Sequence, residues 1–194
     1  MGRDLRKSGR RSPEKTAALS SELPPDEVMF SATARAEQAR RGSREGYARA
    51  ATKGRFRREL ADEVIAFIAA RDSAYLATAS VKGQPYVQHR GGPAGFLRVP
   101  DRRTVAFADY TGNRQYISAG NLAENERAFL FLMDYAEGRR LKLWGRARVV
   151  RDEPELLARV ADPGYGATIE QAIVFRVLAW DWNCSQHIPR LVPA

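Results

Sequence analysis

The chain is poor in the cysteine and histidine residues that disulfide frameworks and metal sites need. Its 194 residues include one cysteine, Cys184, and two histidines, His89 and His187. A single cysteine allows no internal disulfide, and no Cys/His pair has the spacing of a structural zinc site. We therefore expect no metal, and a protein suited to the reducing cytoplasm.

Long apolar runs are absent as well. No stretch reaches the roughly 18 apolar residues that a membrane-spanning helix requires, because charged residues interrupt every candidate. Residues 1–11 carry charge but no apolar segment follows them, so no signal peptide is expected either. The sequence thus predicts a protein without a membrane partner.

Acidic residues are scarce in one part of the chain. The net charge is +9, and residues 31–60 hold nine Lys/Arg against three Asp/Glu, whereas residues 61–194 hold 17 against 15. This basic segment either is solvated or covers a ligand or a partner subunit. A different class of function, a basic module that binds nucleic acid or an acidic partner, also accounts for it. The later strands lack the run of exposed aromatic residues expected of a base-stacking surface, which disfavours nucleic acid.

The rest of the sequence is organised as one domain with extensions. Residues 1–30 lack an apolar period and are predicted to be a flexible arm, and residues 31–55 a basic helical extension broken at Gly42 and Gly46. The folded domain is predicted over 56–181, with a C-terminal tail at 182–194. An amphipathic helix is expected at its start, because apolar residues recur at helical spacing from Phe56 to Ile68.

Strand patterns fill most of this domain. Strands are predicted at 75–80, 85–90, 96–99, 104–108, 128–133, 140–149 and 173–180, and short helices at 113–122, with Asn113 as N-cap, and at 153–161. Hairpins this dense, without regular βαβ alternation, favour a mostly β fold with helices, built as a six- to seven-stranded antiparallel barrel. The strand at 140–149 is amphipathic: Leu141 and Leu143 face one way, and a cationic stripe containing Trp144 faces the other.

Two of the predicted strands end in polar and cationic residues beside glycines. One ends in Gln88-His89-Arg90-Gly91-Gly92-Pro93, and the other runs through Asp109 into Gly112-Asn113-Arg114-Gln115. Guanidinium groups and free backbone N–H groups are the donors that a phosphate needs. The hypothesis that follows is that these strand ends hold the phosphate and the ring edge of a bound flavin.

The order of these motifs resembles the pyridoxamine 5'-phosphate oxidase-like family over about residues 55–190. The resemblance is carried by Tyr75-Leu76-Ala77-Thr78, Gly83-Gln84-Pro85, Gln88-His89-Arg90, Gly112-Asn113-Arg114-Gln115 and Arg139-Arg140-Leu141-Lys142-Leu143-Trp144-Gly145. It is greatest to the bacterial oxidase-related branch, in which the Gln-His-Arg-Gly-Gly-Pro, Gly-Asn-Arg-Gln and Asn-Cys-x-Gln-His patterns occur together. The resemblance implies an FMN-binding split β-barrel, a homodimer with flavin at the subunit interface, and FMN-dependent oxidoreductase activity.

The resemblance also implies a role for each matching position. The flavin ring and ribityl chain would be lined by Gln88, His89, Arg90 and Gly91; the ribityl and phosphate end by Asp109, Asn113, Arg114 and Gln115; the ring, from the partner subunit, by Arg140 and Lys142; and the flavin edge would be closed by Trp182, Asn183, Gln186 and His187. His187 is the one candidate for a general acid.

Two departures from the family pattern bear on the substrate. Pro93 occupies the position where the true oxidases carry a lysine that grips the substrate phosphate, and the tail lacks their Arg-x-His pair. Pyridoxamine 5'-phosphate itself is therefore not the expected substrate. The deazaflavin F420 or haem in the same groove remains an alternative to FMN.

Overall fold

The computed structural model of the protein describes residues 23–183, 186–189 and 191. Seven strands form one sheet in the order β2-β1-β5-β6-β7-β4-β3, and all neighbours are antiparallel. The strands are β1 Ser73–Ala79, β2 Pro85–Gly91, β3 Arg98–Asp101, β4 Thr104–Tyr110, β5 Arg127–Asp134, β6 Arg139–Val150 and β7 Ile169–Asn183. The predicted antiparallel split β-barrel with helices is confirmed.

Six helices accompany the sheet in the described part of the chain. They are α1 Pro25–Met29, α2 Ala32–Arg40, α3 Arg44–Thr52, α4 Asp62–Ala69, α5 Ile117–Glu124 and α6 Pro154–Val160. None of the helices in the described ranges is long and apolar enough to cross a membrane.

The core lies between the inner face of the sheet and helix α4. Strand register places Leu76, Leu130 and Leu143 side by side on β1, β5 and β6, and all three are fully buried. Helix α4 adds Val64 and Ile68 to the same cluster. The period of two in strands explains the arrangement, because alternate residues point to opposite faces.

Helix α4 begins at Asp62, so the prediction that it starts at Phe56 was wrong. Phe56 and Leu60 are buried, as their spacing suggested, but the chain around them is irregular, with bends and a single bridge residue in place of a helix. The Leu60 N–H donates to the Arg102 carbonyl at 2.7 Å, and Arg57 forms an antiparallel bridge with Trp180. Backbone pairing with the barrel therefore replaces helical hydrogen bonds over this segment.

The second helix boundary that differs is that of α5, which begins at Ile117 and not at Asn113. The Asn113 side chain instead accepts a hydrogen bond from the Gln115 N–H at 3.2 Å, a local turn that competes with helix formation. Tyr116 holds the N-cap position with a left-handed backbone, φ 52°. Residues 111–116 are consequently a loop between β4 and α5.

The extensions also differ from the prediction in detail. Helix α1 lies within the range predicted as a flexible arm, and Phe30 after it contacts the rings of Tyr47 and Phe56 at centroid distances of 5.2 and 5.6 Å. The remainder of that arm, residues 1–22, lies outside the described residues. Gly42 separates α2 from α3 as predicted, with φ 77°, but Gly46 lies inside α3.

At the other end, β7 continues to Asn183, past the predicted strand end at 180 and the domain boundary at 181. The extra residues remain in the strand because their backbone pairs with the start of β6, where Asn183 lies opposite Arg140. Residues 184, 185, 190 and 192–194 of the predicted tail lie outside the described residues.

Candidate functional site

A cavity of about 190 Å³ lies at the seam of the barrel, where strands β2 and β4 approach each other without being neighbours in the sheet. Strand β2 contributes one wall, and the end of β4 with the 111–116 loop contributes the other. The start of α5 and the first residues of β7 complete it. The cavity is lined by Gln88, Arg90, Asp109, Tyr110, Gly112, Asn113, Arg114, Tyr116, Ser118, Ala119, Glu170 and Gln171.

A network of buried and partly buried polar side chains closes the bottom of this cavity. Arg90 on β2 forms an ion pair with Asp109 on β4, and its Nη2 also donates to Gln88 Oε1 at 2.9 Å. Ser118 Oγ donates to the same Gln88 oxygen at 3.0 Å, and Gln171 Nε2 donates to Asp109 Oδ2 at 2.7 Å. The charge of Arg90 is thus largely committed to Asp109, while its buried Nε has no hydrogen-bond partner among the described residues.

Arg114 lies exposed at the rim of the cavity in an unusual backbone conformation. Both Arg114 and Tyr116 have positive φ, 59° and 52°, which is uncommon for residues other than glycine. Arg114 Nε donates to the Tyr116 hydroxyl at 3.2 Å, and that hydroxyl donates to Glu170 Oε1 at 2.6 Å. The Nη groups of Arg114 make no hydrogen bond within the described part of the chain, so they are available to a ligand.

Helix α5 points its first turn at the same cavity. Its first intrahelical hydrogen bond runs from the Gly120 N–H to the Tyr116 carbonyl at 2.8 Å, so the N–H groups of residues 117–119 precede the helical ladder. Ser118 and Ala119 line the cavity. The formal charges of two arginines, Arg90 and Arg114, are balanced by the carboxylates of Asp109 and Glu170. The helix terminus and the free Nη groups of Arg114 then make this rim attractive to an anion.

Sequence reasoning missed seven of the twelve cavity residues: Tyr110, Gly112, Tyr116, Ser118, Ala119, Glu170 and Gln171. The last two lie on β7, about 60 residues after β4, and the pairing of Asp109 with Gln171 brings them to the site. No local motif marks them. Tyr116 and Ser118 directly follow the Gly-Asn-Arg-Gln motif, and proximity to it was the available signal.

His89 does not reach the cavity, because it alternates with Gln88 and Arg90 on β2 and therefore faces the opposite side of the sheet. There its ring meets Tyr75 edge-on at a centroid distance of 5.6 Å. We call this side the outer face; it carries Tyr75, Ala77, Val87, His89, Phe129, Phe131, Lys142 and Trp144, which the register places side by side. Gly91, at the end of β2, pairs with Ser73 and does not line the cavity either.

Arg140 and Lys142 also lie on the sheet side opposite the core. Lys142 lies opposite Asp181 in the register of β6 and β7, and its Nζ lies 5.3 Å from the Trp144 ring centroid. Arg55 Nε donates a hydrogen bond to Asp181 Oδ1 at 3.2 Å. Burial lowers the pKa of the Lys142 ammonium group; the Asp181 carboxylate opposes that shift, whereas Arg140 and Arg55 add to it. The result is a cationic cluster around one buried carboxylate.

The predicted tail residues separate from one another. Trp182 packs edge-on against Phe67 of α4 at 4.9 Å, with Arg139 over its ring, so it is part of the inner packing and away from the cavity. Asn183 ends β7 opposite Arg140. Gln186 and His187 lie exposed in the turn that follows.

Of the predicted site residues, five come together in the cavity: Gln88, Arg90, Asp109, Asn113 and Arg114. Gln115 is exposed beside them. The remaining candidates lie outside the cavity: on the outer side of the sheet, at the strand ends, in the turn after β7 or, for Trp182, in the inner packing. No group of three or more His, Cys, Asp or Glu side chains within the described ranges is arranged to hold a metal ion.

The basic extension offers less free charge than its sequence suggests. In α2, Arg40 and Arg41 both pair with Glu37, and in α3 Arg49 pairs with Glu45. Arg35 pairs with Asp26 of α1. These contacts neutralise part of the cationic surface that a nucleic acid would require.

A family model described as pyridoxamine 5'-phosphate oxidase matches residues 60–180. The chain belongs to the pyridoxamine 5'-phosphate oxidase family. The match begins at Leu60 and ends at Trp180, so it contains strands β1 to β6 and all but the last three residues of β7, and it leaves out α1, α2 and α3. A comparison with curated proteins finds no match.

Among solved structures, HupZ of Group A Streptococcus is similar to this member of the pyridoxamine 5'-phosphate oxidase family. One HupZ variant is 17% identical with a TM-score of 0.53, covering 64% of this chain and 99% of its own, and a second HupZ structure is 17% identical with a TM-score of 0.50, covering 61% and 90%. An FMN-binding protein from Syntrophomonas wolfei is 15% identical with a TM-score of 0.46, covering 60% and 80%. At such identities, the two HupZ structures show a common fold.

Proposed function

We propose that this protein is an FMN-binding oxidoreductase that works as a homodimer. The observation that carries the proposal is Arg114, a guanidinium group with free Nη donors at the rim of the seam cavity, beside the first turn of α5. Membership of the pyridoxamine 5'-phosphate oxidase family supports a flavin as the cofactor.

The donors around the cavity fit the phosphate and ribityl end of FMN. A phosphate is bound best by a guanidinium and by backbone N–H groups at a helix start, which Arg114 and residues 117–119 provide. Gln88 and Ser118 add polar atoms deeper in the cavity. A cavity of about 190 Å³ is smaller than the roughly 300 Å³ or more of a site that encloses a drug-sized ligand, so it suits the phosphate end and leaves the ring outside.

A second protomer is needed because the cationic side chains of Arg140 and Lys142 lie on the side of the sheet away from the cavity. Arg140 and Lys142 are on the side opposite the core and do not line the cavity of their own chain. A second copy docked on the outer face would bring its own Arg140 and Lys142 toward the ring. Val87, which is 59% exposed, and the partly buried aromatic residues beside it on that face favour such an interface.

The chemistry follows from the cofactor and from the charges around it. FMN accepts and releases electrons as a hydride or singly, which defines the reaction as a redox reaction. Arg140 and Lys142 would stabilise negative charge that develops on the ring, and no described residue is required as a dedicated acid or base. Pro93, in the place of the family's substrate-gripping lysine, argues against pyridoxamine 5'-phosphate as substrate.

Titration of the purified protein with FMN tests this function, followed by the absorbance and fluorescence of the flavin. We expect saturable binding, and we expect Arg114→Ala to weaken it about 10-fold or more, because a charge-assisted hydrogen bond to phosphate is removed. Arg159→Ala is the matched control, because Arg159 is exposed on α6 and does not line the cavity. Absence of FMN binding would disprove the proposal, and parallel titrations with F420 and haem identify the alternative cofactors.

A further inference from the structure

We propose that Tyr116 and Glu170 are positioning residues that orient the Arg114 guanidinium toward the cofactor phosphate. The inference rests on the proposed function and deepens it: the Gly-Asn-Arg-Gln motif supplies the arginine, but a tyrosine and a glutamate outside the motif determine where it points. The two residues come from different elements, the loop before α5 and the start of β7.

A chain of two hydrogen bonds connects the three side chains. Arg114 Nε donates to the Tyr116 hydroxyl at 3.2 Å, and the hydroxyl proton is donated to Glu170 Oε1 at 2.6 Å. Because the tyrosine oxygen accepts from one side and donates to the other, its orientation is fixed by both partners. Arg114 is held through Nε, which leaves both Nη groups for a ligand.

The backbone of the loop agrees with such a restraint. Arg114 and Tyr116 both adopt the left-handed region, which non-glycine residues occupy only where surrounding contacts impose it. Two contacts do so here: the Gln115 N–H donates to Asn113 Oδ1 at 3.2 Å, and the Tyr116 hydroxyl ties the loop to β7. The second of these joins two residues that line the cavity.

Glu170 is otherwise unexpected in this place. A carboxylate that lines a cavity for phosphate repels the ligand, and Asp109 already balances Arg90. Its hydrogen bond with Tyr116 accounts for its presence, because the acceptor oxygen is needed and the charge is not. Glutamine at this position keeps an acceptor and removes the repulsion.

The test compares FMN with riboflavin, which has the same ring and ribityl chain but no phosphate. Tyr116→Phe is expected to weaken FMN binding roughly 3- to 10-fold, the effect of one lost hydrogen bond, and to leave riboflavin binding unchanged. Tyr165→Phe is the matched control, since Tyr165 is equally exposed, at 43%, and packs against Tyr110 nearby. Thermal unfolding of each variant shows that the fold is retained.

A second pair of variants separates hydrogen bonding from charge. Glu170→Ala is expected to weaken FMN binding by no more than Tyr116→Phe does, because it breaks the same chain of contacts but also removes the repulsion of the phosphate. For the same reason, the double variant is expected to bind FMN no more weakly than Tyr116→Phe alone. Glu170→Gln is expected to retain FMN affinity or raise it. Equal loss for FMN and riboflavin, or additive losses in the double variant, would overturn the inference.

The outcome also distinguishes this inference from the proposed function. If Arg114→Ala weakens FMN binding but Tyr116→Phe does not, the phosphate site stands and the positioning role is refuted. If Arg114→Ala leaves the FMN affinity unchanged, the phosphate assignment itself fails, and the positioning role fails with it.

Discussion

The Arg90 guanidinium and the Asp109 carboxylate form an ion pair across the barrel seam between β2 and β4, strands that are not neighbours in the sheet. Their side chains are 11% and 13% exposed. Gln171 donates to the second oxygen of Asp109, and Gln88 accepts from Arg90. A buried pair with this many supporting hydrogen bonds ties the two edges of the seam together, and loss of one partner leaves the other charge buried alone.

Replacing Asp109 with alanine is therefore expected to lower the free energy of unfolding by about 3–5 kcal/mol. Urea denaturation of the apoprotein measures it. Asp62→Ala is the control, because Asp62 and Arg102 form a pair at 2.7 Å with side chains 85% and 55% exposed, and such a surface pair contributes about 1 kcal/mol or less. Equal losses in the two variants would show that the seam pair is not stabilising the barrel.

Asp134 predicts a loss of stability in acid. Burial opposes its ionisation, but the Glu137 N–H and the Arg71 guanidinium, 2.8 Å away, outweigh burial and hold the pKa of this carboxyl below its ordinary value. Such a group stabilises the fold above its unfolded pKa of about 3.9, and the contribution is lost as the pH falls through the folded pKa. We expect Asp134→Asn to be less stable than the parent near neutral pH, with a difference that shrinks below about pH 4.

Urea unfolding of the Asp134→Asn variant over that pH range checks this expectation. Asp152→Asn, at an exposed aspartate before α6, provides the comparison. A difference from the parent that stays constant down to the lowest pH would contradict the assigned role of Asp134.

The strands were predictable from the sequence because their signal is local. The alternation at 140–149 marks Leu141 and Leu143 as inward, and both are fully buried. The helical spacing from Phe56 to Ile68 was misleading in its first half, because the irregular segment before α4 also buries Phe56 and Leu60. The spacing of apolar residues shows which side chains are buried, but it does not show which backbone hydrogen bonds the segment forms.

The cavity was predictable only in the part that two strand ends contribute. Gln88, Arg90 and Arg114 stand beside glycines and could be recognised as donors, whereas Glu170 comes to the site through the pairing of β4 with β7. The separation of His89 from its neighbours follows from strand alternation. Gln88, His89 and Arg90 could not all line the flavin site from one strand, because consecutive strand residues face opposite sides of the sheet.

Replacing Lys142 with an uncharged side chain is expected to stabilise the fold. Burial lowers the pKa of its ammonium group in the folded state, so the charged form is disfavoured by folding. The penalty is fully present at neutral pH and disappears as the pH rises through the folded pKa toward the unfolded value of about 10.4. We expect Lys142→Met to unfold at a higher temperature than the parent near neutral pH, with an advantage that declines in alkaline solution.

Thermal unfolding of the apoprotein at a series of pH values measures this effect. Lys82→Met, at an exposed lysine in the turn between β1 and β2, controls for a general effect of removing a cation. An equal gain from Lys82→Met would contradict the role of burial at Lys142.

Val87 predicts how the protomers associate. It is 59% exposed on the outer face, where the rings of Tyr75, Phe129 and Phe131 lie 6.5 Å apart in succession, and a contiguous apolar patch of this kind marks an interface. Val87→Asp would bury a charge there, so we expect a dimer to become a monomer in light scattering coupled to size exclusion. Val81, 69% exposed in the β1–β2 turn, lies off the outer face, and the Val81→Asp variant should remain dimeric.

Because the ring of FMN is proposed to lie between protomers, the monomeric Val87→Asp variant should also bind FMN and riboflavin more weakly. A dimer that survives Val87→Asp would place the interface elsewhere and leave Arg140 and Lys142 without a flavin to contact.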